Sequence, residues 1–149
     1  MQRVEFEQFL PISLEEAWHF FSSPANLNRI TPPHLKFRVL DNLPDEMHKG
    51  LIIHYSIQPM LSIPMKWITE ITAFEKNKFF IDEQIKGPYK VWHHEHHFKS
   101  VEGGVLMIDK LTYDIGMGFL GRLAGRLWVD QQVRNIFSYR RSKLHEMFP

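Results

Sequence analysis

Residues 78–114 read KFFIDEQIKGPYKVWHHEHHFKSVEGGVLMIDKLTYD: three runs that alternate apolar with polar, separated by Gly87-Pro88-Tyr89 and by Glu102-Gly103. Period-two alternation broken by turn residues is the signature of antiparallel hairpins. A three-residue loop at Gly87-Pro88-Tyr89 sets Lys86 opposite Lys90, hence Gln84 opposite Trp92 and Asp82 opposite His94. A two-residue loop at Glu102-Gly103 pairs Val101 with Gly104, which puts His96 opposite Asp109 and Trp92 opposite Tyr113. A turn at Lys76-Asn77 brings Ile71 opposite Asp82 and Thr69 opposite Gln84. Turn lengths alone therefore pick out one face of a sheet.

That face carries the large apolar side chains of Trp67, Ile71, Phe80, Trp92, Phe98, Met107, Leu111 and Tyr113, which marks it as the inner one. It also carries Thr69, Asp82, Gln84, His94, His96 and Asp109, clustered near the middle of the sheet. Burying such groups unpaired costs roughly 1–3 kcal/mol each. Carboxylates beside imidazoles on neighbouring strands resolve that cost, and the same belt could orient a ligand. A bulge in either hairpin would instead turn His93, Glu95 and His97 inward. None of those three positions is a large apolar residue, so they are placed in solvent.

Working outward, residues Arg3 to Leu10 alternate as a first strand and Pro11 ends it. Ser13 with Glu16 three residues on has the spacing of a capping box. Ala17, Phe20 and Phe21 give a short helix its apolar face. A second short helix, Ala25 to Ile30, is stopped by Thr31-Pro32-Pro33. Leu35, Phe37 and Val39 alternate. Gly50 to Ile57 reads as a strand, and Met65, Trp67, Thr69, Ile71 and Ala73 share one face of the next. From about Phe119 to Phe148 the period becomes helical. The order is β-α-α-β6-α, an α+β layout in which a twisted seven-stranded antiparallel sheet must bury one face under the long C-terminal helix.

Composition sets the outer limits. The 149 residues suit a single domain spanning 1–149, and 44% hydrophobic residues with 12 Phe and 4 Trp supply a core with volume left to line a pocket. Eighteen Lys+Arg against 17 Asp+Glu leave a net charge of +1, which gives no electrostatic footprint for nucleic acid. The absence of cysteine removes disulfides, thiolate nucleophiles and Cys-based metal sites. The opening segment, with Glu5 and Glu7, reads as a strand and not a signal peptide. No apolar run reaches the length that spans a bilayer, so a cytoplasmic location without membrane insertion is expected.

The segments Phe80-Ile81-Asp82-Glu83-Gln84, Gly87-Pro88-Tyr89 and Trp92-His93-His94-Glu95-His96-His97-Phe98 resemble a subgroup of the SRPBCC (START-like) superfamily. Asp109 to Tyr113, the turn Gly116 to Gly121 and Ile136-Phe137-Ser138-Tyr139-Arg140 resemble the same subgroup. Members are often called polyketide cyclase/dehydrase. The resemblance implies a helix-grip fold, a curved sheet wrapped around the C-terminal helix, and a ligand cavity between them; it implies fold and binding more firmly than any reaction.

The helix pattern adds candidates. Leu120, Leu123, Ala124 and Leu127 form a stripe that Phe137, Leu144 and Phe148 continue. Gln131 and Arg134 sit on it at mid-helix. They either reach the cavity to bind a ligand carboxylate or carbonyl, or pair with Asp82, Asp109 or a backbone carbonyl, or snorkel to the edge. Tyr139, Arg140, Arg141 and Lys143 read as a solvated face. Gly116, Gly118, Gly121 and Gly125 allow a hinge or close packing. The loop Gln58 to Pro64 exposes apolar residues between prolines, either as a flap over the cavity mouth or as a homodimer contact.

The expected ligand-contacting set is therefore Trp67, Thr69, Phe80, Asp82, Gln84, Trp92, His94, His96, Phe98, Asp109 and Tyr113 from the sheet, with Leu127, Gln131 and Arg134 from the helix. His94-x-His96 with a nearby carboxylate is a pattern that can hold zinc, but spacing fixes no third ligand, and the layer is read as hydrogen-bonded without metal or other cofactor. The leading functional expectation is a binding protein for a hydrophobic or amphipathic small molecule such as a lipid, polyketide or aromatic metabolite. One alternative is a cyclase/dehydratase-type enzyme whose acid–base groups come from His94, His96, Asp82, Asp109 and Tyr113. Another is a regulatory or interaction protein with a vestigial cavity.

Overall fold

A computed structural model describes residues 1–59, 63–116 and 123–149 of the chain. The strands are β1 (Gln2–Leu10), β2 (Arg38–Val39), β3 (Ile52–Ile57), β4 (Met65–Glu75), β5 (Phe79–Lys86), β6 (Val91–Val101) and β7 (Gly104–Asp114). The helices are α1 (Leu14–Phe21) and α2 (Leu123–Met147), with 3-10 turns at Pro24–Ile30 and Pro33–Leu35. All seven strands form one antiparallel sheet in the order β1-β7-β6-β5-β4-β3-β2, so the first strand closes on the last. This is the expected α+β, helix-grip arrangement of sheet and long C-terminal helix. The second short helix is 3-10 rather than α, as a segment that starts at Pro24 and is cut off by Pro32 and Pro33 is too short for α-helical hydrogen bonding to offset its nucleation cost.

The hairpin register follows from the turns. Asp82 pairs with His94, Phe80 with His96, His96 with Asp109, Trp92 with Tyr113 and Val101 with Gly104. Thr69 pairs with Gln84 and Ile71 with Asp82. Two differences arise on β4 and β5. The β5–β6 ladder ends at Glu83 opposite His93, and Lys86 pairs with Ile68 of β4 instead of with Lys90. The register also slips between Ile71 and Ala73, leaving Thr72 as an extra residue. That bulge turns Ala73 away from the Trp67–Ile71 face and brings Phe74 inward against Trp18, 5.5 Å between ring centroids.

Ser13 caps α1 as its spacing predicts: its hydroxyl accepts a hydrogen bond from the Glu16 amide at 3.1 Å. The helix lays Ala17, Trp18 and Phe20 on the sheet, and Trp18 meets Phe74, Phe80 and Phe98 in an aromatic cluster. Leu10, Ile53, Ile71, Leu111 and Leu144 are nearly inaccessible, each worth about 1.5–3 kcal/mol of burial.

α2 buries Val129, Val133, Phe137, Arg140 and Leu144. This is a different stripe from the one set by Leu127, which is 59% exposed. Gln131 and Arg134 are exposed with it, and Arg140, read as part of a solvated face, is inside at 8% exposure. Two valines carry less apolar weight in the pattern than Leu127, yet they decide which way the helix faces. Gly118, Leu120, Gly121 and the helix start at Phe119 lie outside the described residues, as do Met60, Leu61 and Ser62 of the proline-flanked loop. No described helix is long and apolar enough to cross a membrane.

Candidate functional site

Between the concave face of the sheet and α2 lies a cavity of about 90 Å³. Its sheet wall is Ile53, Tyr55, Trp67, Thr69, Ile71, Phe80 and Trp92; Phe21, Pro24, Leu27, Thr31, Leu35 and Phe37 close one side, and Ile136, Phe137 and Arg140 of α2 another. One region of this lining is polar: Asp82, His94 and His96 with Arg140 beside them.

The polar region is built by register. β5, β6 and β7 lie side by side, so Asp82, His94, His96 and Asp109 project from the same face of three neighbouring strands. His94 Nε2 donates to Asp109 Oδ1 at 2.8 Å, and His96 Nε2 donates to Asp82 Oδ2 at 2.6 Å. The two imidazoles lie 3.7 Å apart between ring centroids, and Phe80 stacks on His96 at 4.1 Å. The Arg140 guanidinium comes to 3.7 Å from Asp109 and sits over the Phe137 ring at 4.9 Å.

Burial, and then the neighbouring His94, push the His96 imidazole down to about 4, against the pull of Asp82 and Asp109. His96 is therefore neutral at pH 7, with its proton on Nε2 facing Asp82. Burial works to raise both carboxyls, but hydrogen bonds from the imidazoles and the Arg140 charge hold Asp82 below its ordinary value and bring Asp109 to about 2. The layer thus contains two ionised carboxylates, a neutral imidazole at His96 and a guanidinium.

Asp82, His94 and His96 each offer one ligand atom, all within 4.8 Å of one another, a donor set of the kind that holds a divalent ion. In the arrangement present, each imidazole has one ring nitrogen tied to a carboxylate, and a guanidinium stands next to Asp109.

The expected site residues divide into three groups. Trp67, Thr69, Phe80, Asp82, Trp92, His94 and His96 line the cavity, and Asp109 joins them through His94. Gln84 does not: its side chain closes the loop after β5, donating from Nε2 to the Tyr89 carbonyl and accepting from the Tyr89 amide. Phe98 lies under α1 against Trp18, and Tyr113 donates to Asp130 of α2 at 2.5 Å. Leu127 and Gln131 point outward, Gln131 bonding Asn135, and Arg134 lines a surface hollow beside β1 with Glu5 and Glu7. Sequence reasoning missed Arg140 and the wall from residues 24–57. The spacing Phe137, Arg140, Leu144, three then four residues, carried the first signal.

The family model described as polyketide cyclase / dehydrase and lipid transport matches residues 10–137. No curated protein matches the chain in sequence. Among solved structures, a START superfamily protein from Mycobacterium smegmatis is similar with a TM-score of 0.73 at 11% identity, covering 98% of this chain and 96% of that one. Protein Ms6760 from Mycobacterium smegmatis aligns with a TM-score of 0.70 at 16% identity over 97% of this chain and 89% of that chain. TTHA0849 from Thermus thermophilus gives a TM-score of 0.70 at 14% identity, over 99% of this chain and 100% of that chain. At such identities the likeness is one of fold.

Proposed function

The chain belongs to the polyketide cyclase / dehydrase and lipid transport family, and on that premise we propose that it binds a hydrophobic or amphipathic small molecule between the sheet and α2. The observation that carries this reading is the cavity itself: aromatic and aliphatic walls with the carboxylate, imidazole and guanidinium groups gathered in one region, the usual form of a site that takes an apolar body and orients it by a few polar groups. At about 90 Å³ the space is smaller than the ~150 Å³ apolar cavity that holds a benzene ring, so a ligand larger than one ring is admitted by outward movement of the lining. The wall at residues 24–37, built of 3-10 turns with no sheet partner, is the part that yields most readily. Residues 1–149 act in this as one ligand-binding unit.

The test is native mass spectrometry of protein purified from its own host. A co-purifying small molecule released on denaturation is expected; a mass equal to the bare chain under all gentle conditions, with no binding of small aromatic or lipid probes, would leave a vestigial cavity as the better reading.

One observation favours catalysis as the second reading. His96 and Asp82 form an imidazole–carboxylate pair on the cavity wall, the acid–base grouping that an aldol cyclisation or dehydration requires. A carrier with His96→Ala keeps its fold and loses some affinity, whereas an enzyme loses turnover with binding intact.

A further inference from the structure

The antiparallel register gathers one end of every long strand at a common rim. Gln2 stands opposite Tyr113, Val91 opposite Asp114, Ile68 opposite Lys86 and Ile57 opposite Met65. The starts of β1, β4 and β6 therefore lie beside the ends of β3, β5 and β7. α2 begins there too, where Tyr113 bonds Asp130. Of the nine exposed large hydrophobic residues among those described, six belong to this rim: Met1, Ile63, Met65, Ile85, Leu127 and Trp128, each at least 37% exposed. Single exposed apolar side chains are ordinary on a protein surface, but their gathering at one end is not.

The charges at the rim are mostly of one sign. Lys66, Lys86 and Lys90 flank the strand ends, and Arg126 stands in the first turn of α2. Lys36 adjoins Leu35, whose carbonyl accepts from the Gln58 amide just beyond β3. With the amino terminus these make six positive groups. Among the described residues they stand against two carboxylates, Asp114 beside the amino terminus at 4.0 Å and Asp130 held by Tyr113. The opposite end differs: where α1 meets the turn after β4, Glu15, Asp45 and Glu46 border one hollow.

The pairing of apolar tips with basic flanks selects the partner. A second copy meeting rim to rim would bring like charges together. Nucleic acid would answer the lysines but has little use for isolated aliphatic tips, and the whole chain carries a net charge of only +1. A bilayer of anionic lipid answers both features. Aliphatic tips enter the headgroup–acyl boundary, an indole suits the headgroup level, and lysine stems reach back to the phosphates.

We propose that this rim is a docking surface for anionic lipid membranes, a reversible contact in the interface made by Ile63, Met65, Ile85, Leu127 and Trp128 and steered by the surrounding basic groups. No described helix is long and apolar enough to cross a membrane, so the contact is one of surface and rim. The proposal goes beyond the reading of the cavity and does not depend on it, since none of these five side chains lines the cavity.

The test is flotation of the full chain with vesicles of phosphatidylcholine alone and of phosphatidylcholine with about 30 mol% phosphatidylglycerol. Binding to the anionic vesicles is expected to be about tenfold or more tighter, and to fall steeply between about 50 mM and about 500 mM salt. Leu127→Ser with Trp128→Ser, and separately Lys66→Glu with Lys86→Glu, are each expected to weaken it by about tenfold. Phe9→Ser, which removes an exposed aromatic ring at the opposite end, is expected to leave it unchanged. Circular dichroism checks each variant for native fold. Absence of binding to anionic vesicles at low salt would overturn the proposal, and that result needs no variant. Equal binding to both vesicles would overturn the part given to the basic groups. A loss in Phe9→Ser as large as that in the Leu127 and Trp128 variant would place the contact elsewhere. A dimer in solution that Trp128→Ser disperses, with no vesicle binding, would overturn it in favour of a second copy.

Discussion

His94 and His96 stack with 3.7 Å between their ring centroids while each donates to a different carboxylate, His94 to Asp109 and His96 to Asp82. Two residues apart on one strand, they tie β6 to both of its neighbours, β7 through Asp109 and β5 through Asp82. The arrangement is a cross-strand clamp in the middle of the sheet, and the depressed His96 links it to stability in acid.

His96 is depressed from 6.5 to about 4 in the folded chain, so between those values the unfolded chain binds more protons. Stability therefore rises with pH across this window and is lost as pH falls from about 6.5 to 4, by on the order of 1–3 kcal/mol. Asp109, at about 2 against an ordinary 3.8, adds a loss of the same sign below pH 4. On the outer face His93 is raised despite burial, chiefly by its hydrogen bond to Glu83, and contributes with the opposite sign. Urea unfolding at pH 7, 5.5 and 4.5 for the chain and for His96→Asn isolates the effect: the variant should have the shallower slope. Parallel curves would show that His96 is not the group responsible.

The three polar residues of mid-α2 should separate cleanly. Arg140→Met strips Asp109 of its guanidinium and is expected to cost about 1–3 kcal/mol. Gln131→Ala and Arg134→Ala, both on the exposed flank, should stay within about 0.5 kcal/mol of the parent. Thermal unfolding of the three variants decides it, and a destabilised Arg134→Ala beside an unaffected Arg140→Met would mean the helix is turned the other way.

Gly87 admits the loop after β5 to the cavity wall. A Cβ there would come to 2.5 Å from Trp67 Cδ1 and 2.6 Å from Gln84 Oε1, displacing both. Gly87→Ala is expected to lower stability by about 1–3 kcal/mol and to weaken ligand binding through Trp67. Binding that is unaltered in a destabilised variant would separate the loop from the site.

Zinc tests the clamp differently. With both imidazoles held by carboxylates and Arg140 adjacent, chelator-stripped protein should show the same melting temperature with and without an equivalent of Zn²⁺. A rise of several degrees that Asp82→Asn abolishes would instead make Asp82, His94 and His96 a metal centre.

The clamp is legible from turn lengths because period-two geometry leaves one answer once the hairpin loops are counted, and His96 opposite Asp109 follows from Glu102-Gly103 alone. Legibility falls where geometry has more than one solution. The extra residue at Thr72 carries no distinguishing signal, so nothing in the pattern points Phe74 into the core. Gln84 sits on the expected strand, but its bonds to Tyr89 depend on the shape of the loop. On α2 a rotation of nearly half a turn exchanges Leu127 for Val129, and only packing against Trp92, Leu111 and Tyr113 decides between them. Arg140 follows from that same rotation. Its role is hidden in the sequence because a buried arginine is rare enough to be read as surface.

Trp67 and Trp92 meet edge to face, 5.1 Å between centroids at 83°, on adjacent faces of the cavity wall. Two indoles held this close behave as one chromophore: their excited states mix, and the paired optical activity depends on the angle between them. Both indoles line the cavity, so a molecule that enters it is expected to alter that angle. The protein therefore carries its own reporter, and near-ultraviolet circular dichroism of the unlabelled chain can follow occupancy without any added dye.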